Sequence, residues 1–157
     1  MTSDLIVRPA DPTGPEAAAL IARLSAELAA LYPEDASAGA ANFNPADVAG
    51  PGSIFLIAWL DGQPVGSGTL RPMELGVAEV KRMYVEPAAR GRGVSRRLLA
   101  ELERAAAGMG YTTVRLETGL RQSAAIRLYD TSGYYRIANY GLYAENSQSI
   151  CFEKGLV

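Results

Sequence analysis

The chain contains no histidine, and that absence removes more chemistry than any other feature of its composition. It takes away the commonest general base and the commonest metal ligand. Ser-His-Asp and Cys-His nucleophiles go with it. Any catalysis must use carboxylates, tyrosine, backbone dipoles or water, and no metal site is expected. Cysteine is almost as scarce. The single thiol, Cys151, has no partner for an internal disulfide and fits a reducing compartment. Alternating with Phe152 in a predicted strand, with no histidine to activate it, it reads as a buried core residue. Nothing approaches the roughly 20 apolar residues of a membrane span, and the opening MTSDLIVRPAD carries no cleavage pattern. A cytoplasmic location without a membrane partner is expected. Net positive charge is missing too. At −2 overall, the molecule is not built to coat nucleic acid.

What is present suits a globular protein: 157 residues, 48% hydrophobic and 20% charged, read as one domain over 1–157. Residues 5–8 form a first strand, and 16–32 an amphipathic helix with Leu20, Leu24, Leu28 and Leu31 on its apolar side. Residues 33–52 make a long connection rich in Ala, Asn, Pro and Gly, with one helical turn near 45–49. Strands over 53–60, 64–71 and 77–86 follow as a meander, its first turn marked by Asp61-Gly62. A helix over 94–108, a strand over 111–117 and a shorter helix over 122–131 come next. Strands over 134–138 and 149–153 close the chain. This order predicts an α/β (α+β) fold. Its central sheet is mixed and mostly antiparallel, with about seven strands and helices on both faces.

The most informative stretch is 78–99, AEVKRMYVEPAARGRGVSRRLL. A strand ends at Pro87, which cannot donate to a ladder. Arg90-Gly91-Arg92-Gly93 then forms a basic turn, and from Val94 the spacing of Leu98, Leu99 and Leu102 is helical. Free N–H groups at a helix start, beside glycines that admit close approach, make a phosphate site. The arginines at 90, 92, 96 and 97 are the clearest cationic cluster.

Two motifs in fixed order carry a family resemblance. The first is RGRGVS, Arg90 to Ser95, after a strand ending MYVEP. The second is QSAAIRLYDTSGY, Gln122 to Tyr134, on the next helix. Together they resemble the GNAT superfamily of N-acetyltransferases, over nearly the whole chain. Its members carry an R/Q-x-x-G-x-G/A turn and a later N-x-x-A-x-x-L-Y-x-x-x-G-F/Y helix. Ser95 stands where the family usually has Gly or Ala, and Gln122 where Asn is common.

The resemblance implies acetyl-CoA as acyl donor and a primary amine, on a small molecule or a protein, as acceptor. It leaves a homodimer open. Met83, Tyr84 and Val85 would lie along the pantetheine arm, with backbone groups of Met83 and Val85 bonding it. The amides of Gly91, Arg92, Gly93, Val94, Ser95 and Arg96 would hold the pyrophosphate, with the Arg90 side chain beside them. Side-chain phosphate contacts are expected of Arg92 and Arg96, a solvated position of Arg97. Gln122 would reach the cofactor from the second helix. Direct attack in a ternary complex needs a base for the amine and an acid for the departing thiolate. Tyr129 is the family-matched acid. Glu79 and Glu117 are both candidate bases, as is a water relay from either. The bland reading of each carboxylate is an ion pair with Arg82 or Arg115. Tyr134, Tyr135, Tyr140 and Tyr143 read as packing between helix and sheet. The acceptor is expected between the first helix, the 33–52 connection and the 139–148 connection, with Glu34, Asp35 and Glu145 as solvated loop charges. A non-catalytic CoA-binding regulatory module is the rival reading, since it too would keep the turn.

Overall fold

The structure is a computed structural model and describes residues 4–35 and 43–157. Residues 36–42 of the long connection therefore lie outside the described residues. Seven strands form one sheet: β1 (Leu5–Pro9), β2 (Ile54–Leu60), β3 (Gln63–Glu74), β4 (Val77–Val85), β5 (Thr113–Gly119), β6 (Tyr135–Ile137) and β7 (Ser149–Gly155). Their spatial order is β1-β2-β3-β4-β5-β7-β6. Every neighbouring pair is antiparallel except β4 and β5, which run parallel. The mixed, mostly antiparallel sheet expected from the element order is what is found.

Three helices cover it: α1 (Pro15–Leu31), α2 (Val94–Gly108) and α3 (Ser123–Asp130). In α1 a proline occupies the first turn, where its missing N–H costs nothing, and Glu16 complements the dipole. Ala17, Leu20 and Leu24, one helical face, pack on Phe55, Ile57 and Tyr84. The alternate residues of β2, Leu56, Ala58 and Leu60, point the other way and meet Leu98, Leu99 and Leu102 of α2. Leu128 and Tyr129 of α3 join this second layer with Phe152 of β7. Helices therefore lie on both faces. Phe152 is fully buried and carries the ring of Tyr129 at 5.6 Å. Truncating it, Phe152→Ala, is expected to cost about 3–5 kcal/mol by denaturant titration.

Asp61 and Gly62 take the positive φ values, 50° and 82°, that a two-residue hairpin turn requires. β3 continues through Pro72 to Glu74, past the turn expected there. A register shift between Pro72 and Glu74 lets the strand carry a residue with no N–H to donate. β5 begins at Thr113 rather than Tyr111, because Tyr111 turns out of line and its hydroxyl donates to the carbonyl of Gly52.

A second irregularity positions the site. In the β3–β4 ladder Ser67 pairs with Tyr84 and Thr69 with Lys81, so Arg82 and Met83 together oppose Gly68. Arg82 sits at φ 58°, a left-handed conformation uncommon for a side chain of this kind. Its guanidinium bonds the Ile21 carbonyl and the Ser25 hydroxyl of α1. Gly68 leaves room for the tips of two side chains here: a Cβ there would stand 2.7 Å from the Met83 sulfur and 2.9 Å from Leu102, and both would have to shift. The bulge bends β4 just where its partnership with β5 stops.

Candidate active site

The parallel ladder joins only Val77–Val80 to Thr113–Leu116. Beyond it, β4 stays with β3 while β5 stays with β7, and the two strands part. A cleft of about 950 Å³ opens between them, a volume suited to a ligand of cofactor size. Lys81 to Val85 form one wall; Glu117, Thr118 and Gly119 with Gln122 and Tyr129 form the other. The C-terminal half of α1 and the turn before α2 complete it, and Leu142, Tyr143 and Asn146 reach in from the 139–148 connection.

At the α2 end, Gly91 and Gly93 adopt φ 78° and 79°. The helix starts at Val94 with no side-chain cap, and the first amide of the segment to find a backbone acceptor is that of Arg97, on Gly93. Among the described residues, the N–H groups of 91–96 have no protein acceptor. Six free donors at a helix N-terminus form a strong anion cradle. The arginines divide. Arg90 bonds the Val85 carbonyl at 2.9 Å and Glu27 at 2.6 Å, which ties the turn to β4 and α1. Arg96 turns to the hydroxyls of Thr131 and Ser132 at the end of α3 and does not line the cleft. Arg92 is exposed, and among the described residues it makes no ion pair. Arg97 pairs with Glu101 one helical turn on, as a solvated face would have it. The Gln122 side chain accepts the Gly119 N–H at 2.9 Å, pinning α3 to the end of β5.

The two candidate bases differ sharply. Glu79 is buried, 3.3 Å from Arg71, and accepts a hydrogen bond from the Tyr140 hydroxyl at 2.8 Å. It does not line the cleft. Glu117 does, and it accepts from the Ser149 hydroxyl. Burial pushes its carboxyl above the usual carboxylate range; the Ser149 hydrogen bond and Lys81 pull it back, and Glu79 adds to the rise. Neither carboxylate pairs with Arg82 or Arg115. Arg82 is committed to α1, and Arg115 bridges Glu153 and Glu74.

Tyr129 lines the cleft and is 4% exposed, its ring edge-on to Tyr134 at 5.7 Å. Among the described residues its hydroxyl makes no hydrogen bond. Burial first, and Glu117 second, raise its pKa well above that of a free phenol, so it stays protonated at neutral pH. Tyr134 donates to Glu103 of α2, as packing between helix and sheet would have it, whereas the exposed Tyr135 donates to its cross-strand neighbour Glu153 and links β6 to β7 within the sheet. Tyr140 instead fastens Glu79, and Tyr143 faces the cleft. Cys151 is fully buried beside Glu117 in the β5–β7 register, and burial raises its thiol, the opposite of what a nucleophile requires.

The profile of the acetyltransferase (GNAT) family matches residues 21–134. The chain belongs to the GNAT family of acetyltransferases. An IAA acetyltransferase of Azospirillum brasilense is 36% identical over 138 residues, 87% of this chain and 88% of its own. A Klebsiella pneumoniae protein assigned as an acyl-CoA N-acyltransferase superposes with a TM-score of 0.79 at 33% identity, covering 98% of both chains. The PaiA N-acetyltransferase of Thermoplasma acidophilum, solved with coenzyme A, shares the fold alone: TM-score 0.74 at 17% identity, over 97% of this chain and 99% of its own. As a GNAT protein the chain is an N-acetyltransferase. Lys81 and Tyr143 are the cleft residues that strand periodicity did not mark as functional. Strand alternation alone would not have found Lys81, because it shares that spacing with Glu79, which does not line the cleft, and the bulge at 82–83 breaks the alternation toward Met83.

Proposed function

We propose that the protein moves the acetyl group of acetyl-CoA to a primary amine by direct attack within a ternary complex. One observation carries the reading: the parting of β4 from β5 leaves an anion cradle, an unpaired strand edge, a buried carboxylate and a protonated phenol on one cleft. The residues present fit acetyl-CoA. The 91–96 amides would hold its pyrophosphate, and Met83, Tyr84 and Val85 would flank its arm. The Val85 carbonyl is already engaged by Arg90, which leaves its N–H for the ligand. Bound there, the thioester supplies an activated acetyl group.

The chain's own residues do the rest. Glu117 takes the proton the attacking amine must lose, directly or through a water. A backbone N–H of the 83–85 segment polarises the carbonyl oxygen as negative charge builds on it. Tyr129 donates its phenolic proton as the carbon–sulfur bond breaks and the carbon–nitrogen bond forms. Arg71 and Tyr140 hold Glu79 behind the site as a structural charge.

A screen of primary amines with acetyl-CoA, reading released thiol, tests the reading. Saturable acetyl-CoA binding with no thiol release for any amine would return the non-catalytic module. Tyr129→Phe keeps the ring packing and removes only the proton. It is expected to lower kcat by about 100-fold with little change in acetyl-CoA affinity. Unchanged turnover would remove Tyr129 as the acid.

A further inference from the structure

Lys81 and Glu117 are the first residues beyond the last rung of the parallel ladder, Val80 with Leu116. They stand on opposite walls where the cleft begins. Each feels the other's charge, yet among the described residues no carboxylate oxygen comes within the 4.0 Å of an ion pair of the Lys81 ammonium. It makes no hydrogen bond there either. The ring of Tyr143 lies 5.9 Å away, and among the surrounding charges Glu79 acts on Lys81 most strongly, ahead of Arg71 and Glu117. Glu79, the other nearby acid, is committed to Arg71 and Tyr140. A half-buried cation without a counter-ion is costly unless a ligand supplies one.

Resting on the acetyltransferase reading above, we infer that the acceptor is an amine carrying a carboxylate on a neighbouring carbon, an amino-acid-like zwitterion bridged between Glu117 and Lys81. The charges match. With Glu79 ion-paired to Arg71, the end of the cleft nearest the ladder presents Glu117 and Lys81, which among the described residues make no ion pair of their own. An ammonium would meet Glu117, which later takes its proton, and the carboxylate would meet Lys81. Charge-assisted bonds of this kind are short and directional, and they fix the nitrogen toward the acyl carbon.

The test compares matched pairs, an amino acid and the amine left when its carboxyl is removed, in the thiol-release assay. The wild type is expected to favour the carboxylated member of a pair by at least about tenfold in kcat/KM. Lys81→Met should erase that preference through KM, and Lys81→Arg, which keeps the charge, should restore it. Equal or better use of the decarboxylated amines by the wild type would overturn the inference while leaving the acetyltransferase reading standing. So would a Lys81→Met loss shared equally by both members, or a mass gain of one acetyl on Lys81 itself. Failure of every amine to release thiol would instead remove the acetyltransferase reading.

Discussion

Replacing Glu117 with Gln is expected to lower kcat/KM for the amine by at least about 100-fold, the usual worth of a positioned general base, with acetyl-CoA affinity little changed. The pH profile carries the sharper signature. A base must be ionised to work, so activity falls as pH drops through its folded value. Burial displaces that value upward for Glu117, and the acid limb should lie above the roughly 4.3 of a free glutamate. Ser149 donates to the charged carboxylate, so Ser149→Ala is expected to move the limb to still higher pH. The stability effect has the opposite sense to that of a salt-bridged acid. A carboxyl whose value is raised on folding favours the folded state below its unfolded value, and that contribution is lost as pH rises through the folded one. Glu117→Gln should therefore fold as well as the wild type at neutral pH. A variant inactive only because it unfolds would contradict the assignment, and thermal melts beside the kinetics separate the two. Glu79→Gln makes the contrast: it disturbs Arg71 and Tyr140, and its loss should appear in stability first.

The second large effect is at the turn. Gly93 has φ 79°, and a Cβ there would meet nothing within 4 Å, so substitution acts through the backbone and not through a clash. A β-branched residue resists this conformation most, and left-handed geometry costs a side chain about 1–2 kcal/mol. Gly93→Val is expected to turn the N–H groups of 93–96 away from a common focus. Acetyl-CoA affinity should fall by about 100-fold or more, since each charge-assisted bond to phosphate contributes about 1.5–3 kcal/mol. Binding is read by calorimetry on protein shown to be folded. Retained affinity would refute the cradle.

These two residues differ in how far the sequence announces them. Gly93 is legible in the RGRGVS turn, because a basic, glycine-bearing link between strand and helix has few other uses. The helix bearing Tyr129 is equally legible, and so is the sheet with helices on both faces, since alternation and helical spacing are local properties. Glu117 is not separable from Glu79 by pattern. Both sit on the same kind of strand, two residues from other charges. What separates them is the register: the parallel β4–β5 ladder ends at Val80 and Leu116, so Glu79 lies within it and Glu117 one residue beyond. The bulge at Arg82 and Met83 follows directly on that ending, and it belongs to pairing across the sheet, which periodicity does not encode. Arg96 shows the same limit on the helix. Its position beside the turn suggested phosphate, but the end of α3 lies nearer and supplies the hydroxyls of Thr131 and Ser132.

A crystal structure of the protein with acetyl-CoA tests the central claim most directly. Pyrophosphate oxygens are expected about 2.7–3.2 Å from the backbone nitrogens of 91–96. The arm is expected between the parted strands β4 and β5, with the thioester sulfur beside the Tyr129 hydroxyl and the acetyl group facing Glu117. A cofactor bound outside that cleft, or seated there with its sulfur away from Tyr129 and its acetyl group away from Glu117, would contradict it.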